Sequence, residues 1–348
     1  MLPREGLYID PIVKILRQTI LHPIFTLTCL YFVHGTKSDA GAQYEKPAAL
    51  IAGTSVLLWL NDWFSAKSRN NWVIDDSWNW KRELVVVTGG SGGIGGGVAQ
   101  CLAAMGARVV VLDIIPLTYE PAERIIYYRC DLSDEKEIAA ICEKIKSEIG
   151  HPTVLVNNAG LSRGRTVAEG SYYDNIITLK TNLLAPFLLA KEFLPSMIRQ
   201  NHGHIFNVAS MSAYIPPPGI ADYAASKAGL IAFHECLAQE LRAQNAPKVR
   251  TSLAVLSFTK TPLFKGETNQ SHFLMPLLHV DTVVDAIVDT LDSGLSQTIF
   301  LPGIFRFLAG LRGAPDWAQN LIRGGTKSLK VEFKGRQKID PQTGKLVA

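Results

Sequence analysis

The sequence predicts an α/β fold built on a parallel, doubly wound sheet, with a hydrophobic extension ahead of it. Three observations predict it. A β-branched run, Leu84-Val85-Val86-Val87, enters a glycine-rich turn and then a helical pattern. Short apolar runs alternate with amphipathic stretches from there to residue 256, and two longer apolar stretches precede them all. Alternating strands and helices cover a parallel sheet on both faces, and ligands of such sheets bind at the carboxyl ends of the strands. At 348 residues the chain holds one domain of roughly 250 residues plus appendages. We read residues 1–80 as an extension, 81–302 as the α/β domain and 303–348 as an amphipathic segment with a polar tail.

The extension carries its apolar stretches at residues 19–33 and 47–64. Each falls short of the about 20 apolar residues that a spanning helix needs, and His22, Pro23, Asn61 and Asp62 interrupt them. Neither has the layout of a cleaved signal. Lys14 and Arg17 precede the pair and Lys67 and Arg69 follow it, while Lys37 and Lys46 balance Asp39 and Glu45 between them. That pattern suits a hairpin with both ends cytosolic. Trp59, Trp63, Trp72, Trp78 and Trp80, five of the six tryptophans, lie near the exit of the second stretch and are expected in a headgroup layer. Membrane attachment, transmembrane or embedded, is the expectation. The alternative is a pair of soluble helices packed on the following domain.

Composition narrows the partners. The 35 basic and 31 acidic residues leave a net charge of +4 without the basic stripe of a phosphate-backbone binder, so nucleic acid is not expected. Cys29, Cys101, Cys130, Cys142 and Cys236 are odd in number and fall in no metal-ligand or CxxC spacing, so no metal is expected and a reducing, cytosol-facing domain fits. Asn269-Gln270-Ser271 matches a glycosylation tripeptide whose use would require a lumenal domain.

The turn reads Thr88-Gly89-Gly90-Ser91-Gly92-Gly93-Ile94-Gly95. Glycines permit a sharp turn and bring backbone N–H groups and a helix N-terminus up to a pyrophosphate, so Gly89, Ser91, Gly93, Ile94 and Gly95 are candidate dinucleotide contacts. The next strand, from residue 108, ends at Asp113, eighteen residues beyond Gly95. A carboxylate there accepts from both hydroxyls of an adenosine ribose and repels a 2′-phosphate, and no Arg or Lys in the turn compensates. NAD(H) is favoured, and NADP(H) stays open. A third strand at 125–128 leads to Asp131 and Leu132, placed to contact adenine, and a fourth at 154–156 leads to Asn157-Asn158-Ala159-Gly160, whose amides are placed to brace the nucleotide-facing backbone.

A helical pattern over 174–197 carries Asn182, and an apolar strand at 203–208 ends at Ala209-Ser210. A helix from about Asp222 follows, bearing Tyr223 and Lys227, four apart and so on one face. Hydride delivered to a carbonyl leaves an alkoxide that needs a proton, and the reverse reaction needs a base near neutral pH. A phenol starts from about 10. The Lys227 ammonium and an oxidised nicotinamide would stabilise the Tyr223 phenolate, and Lys227 would also bond the nicotinamide ribose. Ser210 would hold the substrate oxygen, and Asn182 would order a water linking Lys227 to solvent.

TGGSGGIG, NNAG, Asn182, Ser210 and YAASK together resemble the short-chain dehydrogenase/reductase family in order and spacing, over roughly residues 83–302. The resemblance implies a Rossmann-like sheet, a catalytic tetrad of Asn182, Ser210, Tyr223 and Lys227, and a homodimer through long helices. VASMSAYIPPPGIADYAASKAG, with the hydrophobic N-terminal part, is similar to the membrane-bound retinol dehydrogenase and hydroxysteroid dehydrogenase branch. One departure concerns the loop after the sixth strand. Its usual Pro-Gly is missing from Val255-Leu256-Ser257-Phe258-Thr259-Lys260-Thr261-Pro262, although Thr261 matches the family's nicotinamide-contacting threonine.

Past Thr261, Leu263-Phe264 and residues 273–278 are too apolar for a sugar or small-acid site, so a lipophilic partner substrate is expected, of retinoid, steroid or fatty type. Residues 304–312 and 317–322 mix bulky apolar with basic side chains, as an interfacial helix does, the alternative being core packing. The expectation is an NAD(P)-dependent oxidoreductase of lipophilic alcohols, ketones or aldehydes, on a cytosol-facing endoplasmic reticulum or lipid-droplet membrane. Its rivals are a silent nucleotide-binding scaffold, a lipid-surface coat protein, and an epimerase or enoyl reductase of the same fold.

Overall fold

The computed structural model describes residues 3–36, 39–261, 263–265, 271–328 and 332–333. The glycosylation tripeptide at 269–271 falls mostly outside them, as does the polar tail beyond 333. The chain divides into two compact units, residues 1–72 and 73–348.

The first unit is helical. It comprises α1 (Ile9–Gln18), α2 (Pro23–Gly35) and α3 (Asp39–Arg69). Pro23 suits the first turn of α2, where no N–H is needed, and the His22 ring accepts from the Ile24 N–H. Helices α2 and α3 pair in antiparallel sense, shown by contacts that run in opposite order along them. His34 meets Glu45 at 2.8 Å, and the hydroxyls of Thr26 and Ser55 meet at 2.6 Å. Arg17, just ahead of α2, bonds Asp62 of α3 at 2.6 Å. Of these, only the Thr26 and Ser55 hydroxyls are buried between the helices, while His34, Glu45, Arg17 and Asp62 lie on the surface and Ile24, Phe25, Tyr31, Phe32, Leu50 and Leu57 stay exposed. Among the described residues no helix is long and apolar enough to cross a membrane. With 13 residues, α2 rises only about 20 Å against a hydrocarbon core of about 30 Å, and α3 is interrupted by Pro47, Asn61 and Asp62.

The second unit is the expected α/β fold. Seven parallel strands, β1 (Leu84–Thr88), β2 (Arg108–Asp113), β3 (Ile125–Arg129), β4 (Val154–Asn157), β5 (Gly203–Ser210), β6 (Val249–Leu256) and β8 (Thr298–Leu301), lie in the order β3-β2-β1-β4-β5-β6-β8. A short antiparallel pair, β7 (Phe264–Lys265) with β9 (Glu332–Phe333), stands apart. Strand period 2 divides the core. Val85, Val87, Val109 and Val111 face one way, toward α4 (Gly93–Ala104) and α9 (Val280–Asp292), whereas Leu84, Val86, Val110 and Leu112 face α5 (Glu135–Glu148), α7 (Ala185–Gln200) and α8 (Ala221–Ala243). Helix α6 (Tyr172–Leu179) runs through a π turn, Lys180–Leu184, into α7, and α10 (Asp316–Gly324) follows a long 3₁₀ segment, Gly303–Gly313. Strand order reverses between β1 and β4, which opens the crevice at their carboxyl ends.

Two tryptophans depart from the expectation of a headgroup layer. Trp80 is only 8% exposed, and its indole N–H donates to Asp292 at 2.7 Å. Trp78 packs on Trp80 and on His202, with ring centroids 5.4 and 5.0 Å apart. Trp80 is a core residue of the second unit, and Trp78 is half-buried against it, because the segment ahead of β1 lies across the amino ends of its strands, a long-range contact that local composition cannot reveal. Trp59, Trp63 and Trp72 are exposed in the first unit.

His202 fastens that segment, meeting Asp75 at 2.7 Å and Glu83 at 3.1 Å. The hydrogen bond to Glu83 raises the imidazole above its ordinary value, against the opposing effect of burial, and Asp75 adds to the rise. A raised value makes this contribution complete below the unfolded imidazole's 6.5 and removes it as pH climbs through the folded one. Burial instead lowers His204 to about 3 and His234 to about 4, so their contribution is complete above 6.5 and is lost on acidification. His202→Gln is expected to cost about 2 kcal/mol at pH 6. Thermal unfolding across pH checks this, since the deficit must shrink as pH rises; a deficit independent of pH refutes the ionic role.

Candidate active site

At the reversal point the glycine turn and the β4 turn are built against each other. Gly89 has φ +65°, and a Cβ on it would lie 2.8 Å from the Ala159 Cα. One on Gly95 would overlap the Gly89 carbonyl and lie 2.5 Å from Asn158 Nδ2. The Asn158 amide nitrogen donates to the carbonyls of Thr88 and Gly89 at 3.0 and 3.1 Å. Thr88, which sequence reasoning left without a role, is the hub. Its hydroxyl donates to the Val156 carbonyl at 3.2 Å and accepts from the N–H groups of Asn158 and Ala159 at 3.0 Å each.

Beside this junction runs a groove of about 430 Å³. Gly89, Gly93, Ile94, Asp113, Asp131, Leu132, Asn158, Ala159, Gly160 and Thr261 all line it, as the sequence reading placed them. Ser91 and Gly95 do not. Ser91 is fully buried, with its hydroxyl donating to the Ile115 carbonyl at 2.7 Å, and Gly95 is packed inside α4. Asp113 accepts from the N–H groups of Ser91 and Ile115 at 3.0 and 3.3 Å, yet burial still pushes its carboxyl above the ordinary range. Asp131 spends one carboxylate oxygen on Ser133 and its N–H on Glu137. Among the described lining residues none is Lys or Arg.

A second cavity of about 180 Å³ adjoins the groove, sharing Ile94, Asn158, Gly160, Thr261 and Leu263 with it. Ser210, at the carboxyl end of β5, and Tyr223 and Lys227, on α8, meet there. The Ser210 side chain is hydrogen-bonded to the Tyr223 hydroxyl, a bond that lowers the phenol, but burial outweighs it and holds Tyr223 above 10. The Lys227 ammonium is 3% exposed, donates to the Val208 carbonyl at 2.8 Å and lies 5.7 Å from the Tyr223 ring centroid. Burial lowers it to about 8. The protein alone therefore keeps the phenol neutral; the expectation paired Lys227 with an oxidised nicotinamide.

Asn182 sits in the π turn, a helix irregularity often found at functional sites, and is 1% exposed. Its amide holds the Leu161 backbone from both sides, accepting from the N–H at 2.9 Å and donating to the carbonyl at 2.8 Å, and donates to Ser226 at 3.1 Å. It thus positions more than it lines. A Cβ on Gly160 would come 3.5 Å from Lys227 Nζ and 3.6 Å from Asn182 Oδ1, so the bare glycine leaves a space that both polar groups border.

The rest of the wall is mainly apolar, with Met211, Ile215, Pro217, Ile220, Leu263 and Met275, and carries Ser212, Ser257 and Thr259 among them. Of the apolar segment at 273–278, Met275 reaches the cavity, Leu278 is core, and Phe273 and Leu274 are exposed. Where the family's Pro-Gly is missing, a parallel bridge between Thr259 and Leu278 fixes the loop, with Thr261 N–H donating to the Thr259 carbonyl at 2.7 Å. Sequence reasoning missed Ile215, Pro217 and Ile220, although an apolar IPPPGI between Ser210 and Tyr223 was a usable signal. Thr326, also on this wall, carried none. Two hydroxyls, an amine and an apolar chamber opening on a ligand groove can grip an oxygen and exchange its proton.

The short chain dehydrogenase family model matches residues 83–272. Dehydrogenase RED2 of Cochliobolus heterostrophus is 41% identical over 197 residues, 56% of this chain and 74% of that protein. Epidermal retinol dehydrogenase 2 of Mus musculus is 30% identical over 243 residues, covering 66% of this chain and 77% of its own. Estradiol 17-beta-dehydrogenase 11 of Macaca fascicularis is 31% identical over 234 residues, covering 65% and 77%. The matched region begins at the foot of β1 and runs past β7, through the groove and the hydroxyl pair alike, so that fold, site and kinship coincide: this chain belongs to the short-chain dehydrogenase/reductase family of oxidoreductases.

Proposed function

We propose that the enzyme oxidises or reduces a lipophilic alcohol or carbonyl compound at a membrane surface, with NAD(H) preferred to NADP(H). The observation that carries this is the apolar chamber, which opens on the Ser210 and Tyr223 hydroxyls and shares a wall with the groove. Relatives named for retinol and for estradiol support a lipophilic substrate. Asp113, with no cation among the described residues lining the groove, supports NAD(H).

A nicotinamide cofactor supplies or accepts the hydride when bound. Gly89, Gly93 and Ile94 would hold its pyrophosphate, Asp113 its adenosine ribose, Asp131 and Leu132 its adenine, and Thr261 its nicotinamide end. Asn158, Ala159 and Gly160 form the floor, while Ser91 and Gly95 act from behind by setting the shape of the turn. Ser210 donates to the substrate oxygen, and Tyr223 passes its proton to that oxygen in reduction and takes it back in oxidation. Lys227 supplies positive charge beside the phenol and a donor for the nicotinamide ribose. Asn182 holds the Leu161 backbone at the rim and, with Lys227, borders the space over Gly160, which is suited to a relay water.

The domain reading is an extension over 1–80, of which residues 73–80 belong to the second compact unit, a catalytic domain over 81–302 and a C-terminal segment over 303–348. Because no described helix can span, we read the extension as embedded, its apolar side chains in lipid. The C-terminal segment adds Phe307 and Trp317, 77% and 72% exposed, beside Arg306 and Arg323, whereas its Leu311 is core. Thr326 joins that segment to the chamber wall, and such a contact with lipid would turn the mouth toward the cytosolic face of the endoplasmic reticulum or a lipid droplet. A homodimer through α7 and α8 completes the reading, with Phe187 exposed on α7.

Tyr223→Phe is expected to lower turnover by about 10³-fold or more while leaving NADH binding intact, as followed by nicotinamide absorbance over retinoid, steroid and fatty substrates. Binding without turnover on any substrate, in wild type as in the variant, would favour a silent scaffold. Reduction should be fastest below about pH 8, where Tyr223 and Lys227 both keep their protons, and should fall above it; oxidation should climb with pH as the phenol becomes a base. Parallel profiles in both directions would remove Tyr223 as the proton carrier. Full-length protein should float with phospholipid vesicles, and Trp317→Ser/Phe307→Ser should weaken this about tenfold. A double variant that floats like wild type refutes the C-terminal contact.

A further inference from the structure

We propose that residues 114–119, in the connection between β2 and β3, form a strap that sets cofactor selectivity, with Thr118 and Tyr119 as its positioning residues. The proposal rests on the NAD(H) reading and explains how the chain would enforce it. In a doubly wound sheet a helix ordinarily joins neighbouring parallel strands, yet residues 114–124 contain none. They fold back onto the glycine turn. The Thr118 N–H and hydroxyl both donate to the Ser91 carbonyl, at 2.9 and 2.6 Å. The Tyr119 hydroxyl donates to the Gly90 carbonyl at 2.9 Å, and Ser91 returns a bond to the Ile115 carbonyl.

The strap accounts for two further glycines, Gly92 and Gly96. A Cβ on Gly92 would lie 2.8 Å from Thr118 Oγ1, and one on Gly96 would lie 3.0 Å from the Tyr119 ring. Both positions are bare so that the strap can close on the turn. Once closed, it presses the Ser91 N–H onto the Asp113 carboxylate and fixes that carboxylate at the groove wall, where Ile114, Ile115 and Thr118 stand beside it. A ribose with a free 2′-hydroxyl finds an acceptor already in place. A 2′-phosphate meets a fixed negative charge, a closed flank and, among the described lining residues, no cation. Loosening the strap frees the turn to move and the flank to open, so the two cofactors respond unequally.

The test titrates full-length wild type, Tyr119→Phe, Thr118→Ala and Thr118→Ser with NADH and NADPH, read by quenching of tryptophan fluorescence. Tyr119→Phe and Thr118→Ala should each weaken NADH about fivefold, the scale of one lost hydrogen bond, with NADPH unchanged or tighter. Thr118→Ser, which keeps the donor, should retain the wild-type ratio. Equal changes for both cofactors, or none for either, overturn the proposal, because a merely structural strap moves them together. If Thr118→Ala does not fold, Tyr119→Phe decides alone, since it removes a single oxygen. Wild type that itself prefers NADPH overturns the NAD(H) reading instead, and the strap is then judged by whether the variants shift the ratio.

Discussion

Everything in the second unit that bears on ligand binding hangs on a single close approach, between the turn after β1 and the turn after β4. Two parallel strands side by side would ordinarily hold their following loops apart by the bulk of side chains. Here Gly89 and Gly95 have none, the Ala159 backbone moves in, and Thr88 and Asn158 fill the contact with hydrogen bonds that leave few local polar groups unsatisfied. The groove, the shared wall with the chamber and the placement of Asp113 all follow from that junction. Substituting either glycine would alter them together, because interiors packed this tightly shift as units.

The chamber shows the opposite economy, polar groups held in scarce solvent. Burial raises Tyr223 and lowers Lys227, so desolvation drives both toward neutrality, and the Ser210 bond only partly offsets it for the phenol. A site so arranged keeps its phenol protonated until a further positive charge joins Lys227 beside it. Coulombic attraction is strong in such surroundings, so an oxidised nicotinamide would shift the phenol far more than it could in water.

Much of this was legible in the sequence because it is local. The strands announced themselves as β-branched runs, and their carboxyl ends carried the Gly, Asp, Asn and Ser residues that the structure gathers around one crevice. Tyr223 and Lys227 share a face by helical period alone. The rest depended on long-range contacts that no window contains. Trp80 looked like its neighbours Trp63 and Trp72, and only its bond to Asp292, two hundred and twelve positions away, makes it core. Ser91 read as a ligand contact because its neighbours line the groove, whereas the helix-free connection after β2 turns it inward. Asn182 gave no hint that its amide is occupied by Leu161.

The chamber's size carries a last consequence. At about 180 Å³ it is smaller than the roughly 300–1,000 Å³ of pockets that swallow a ligand whole. A long lipophilic molecule would insert only its oxygen-bearing end and leave the remainder outside, in contact with whatever surface lies at the mouth. Discrimination would then fall on the branching and unsaturation within a few bonds of the reacting carbon, and homologues differing only in chain length would be processed alike, a tolerance suited to a mixed pool of lipids more than to one metabolite.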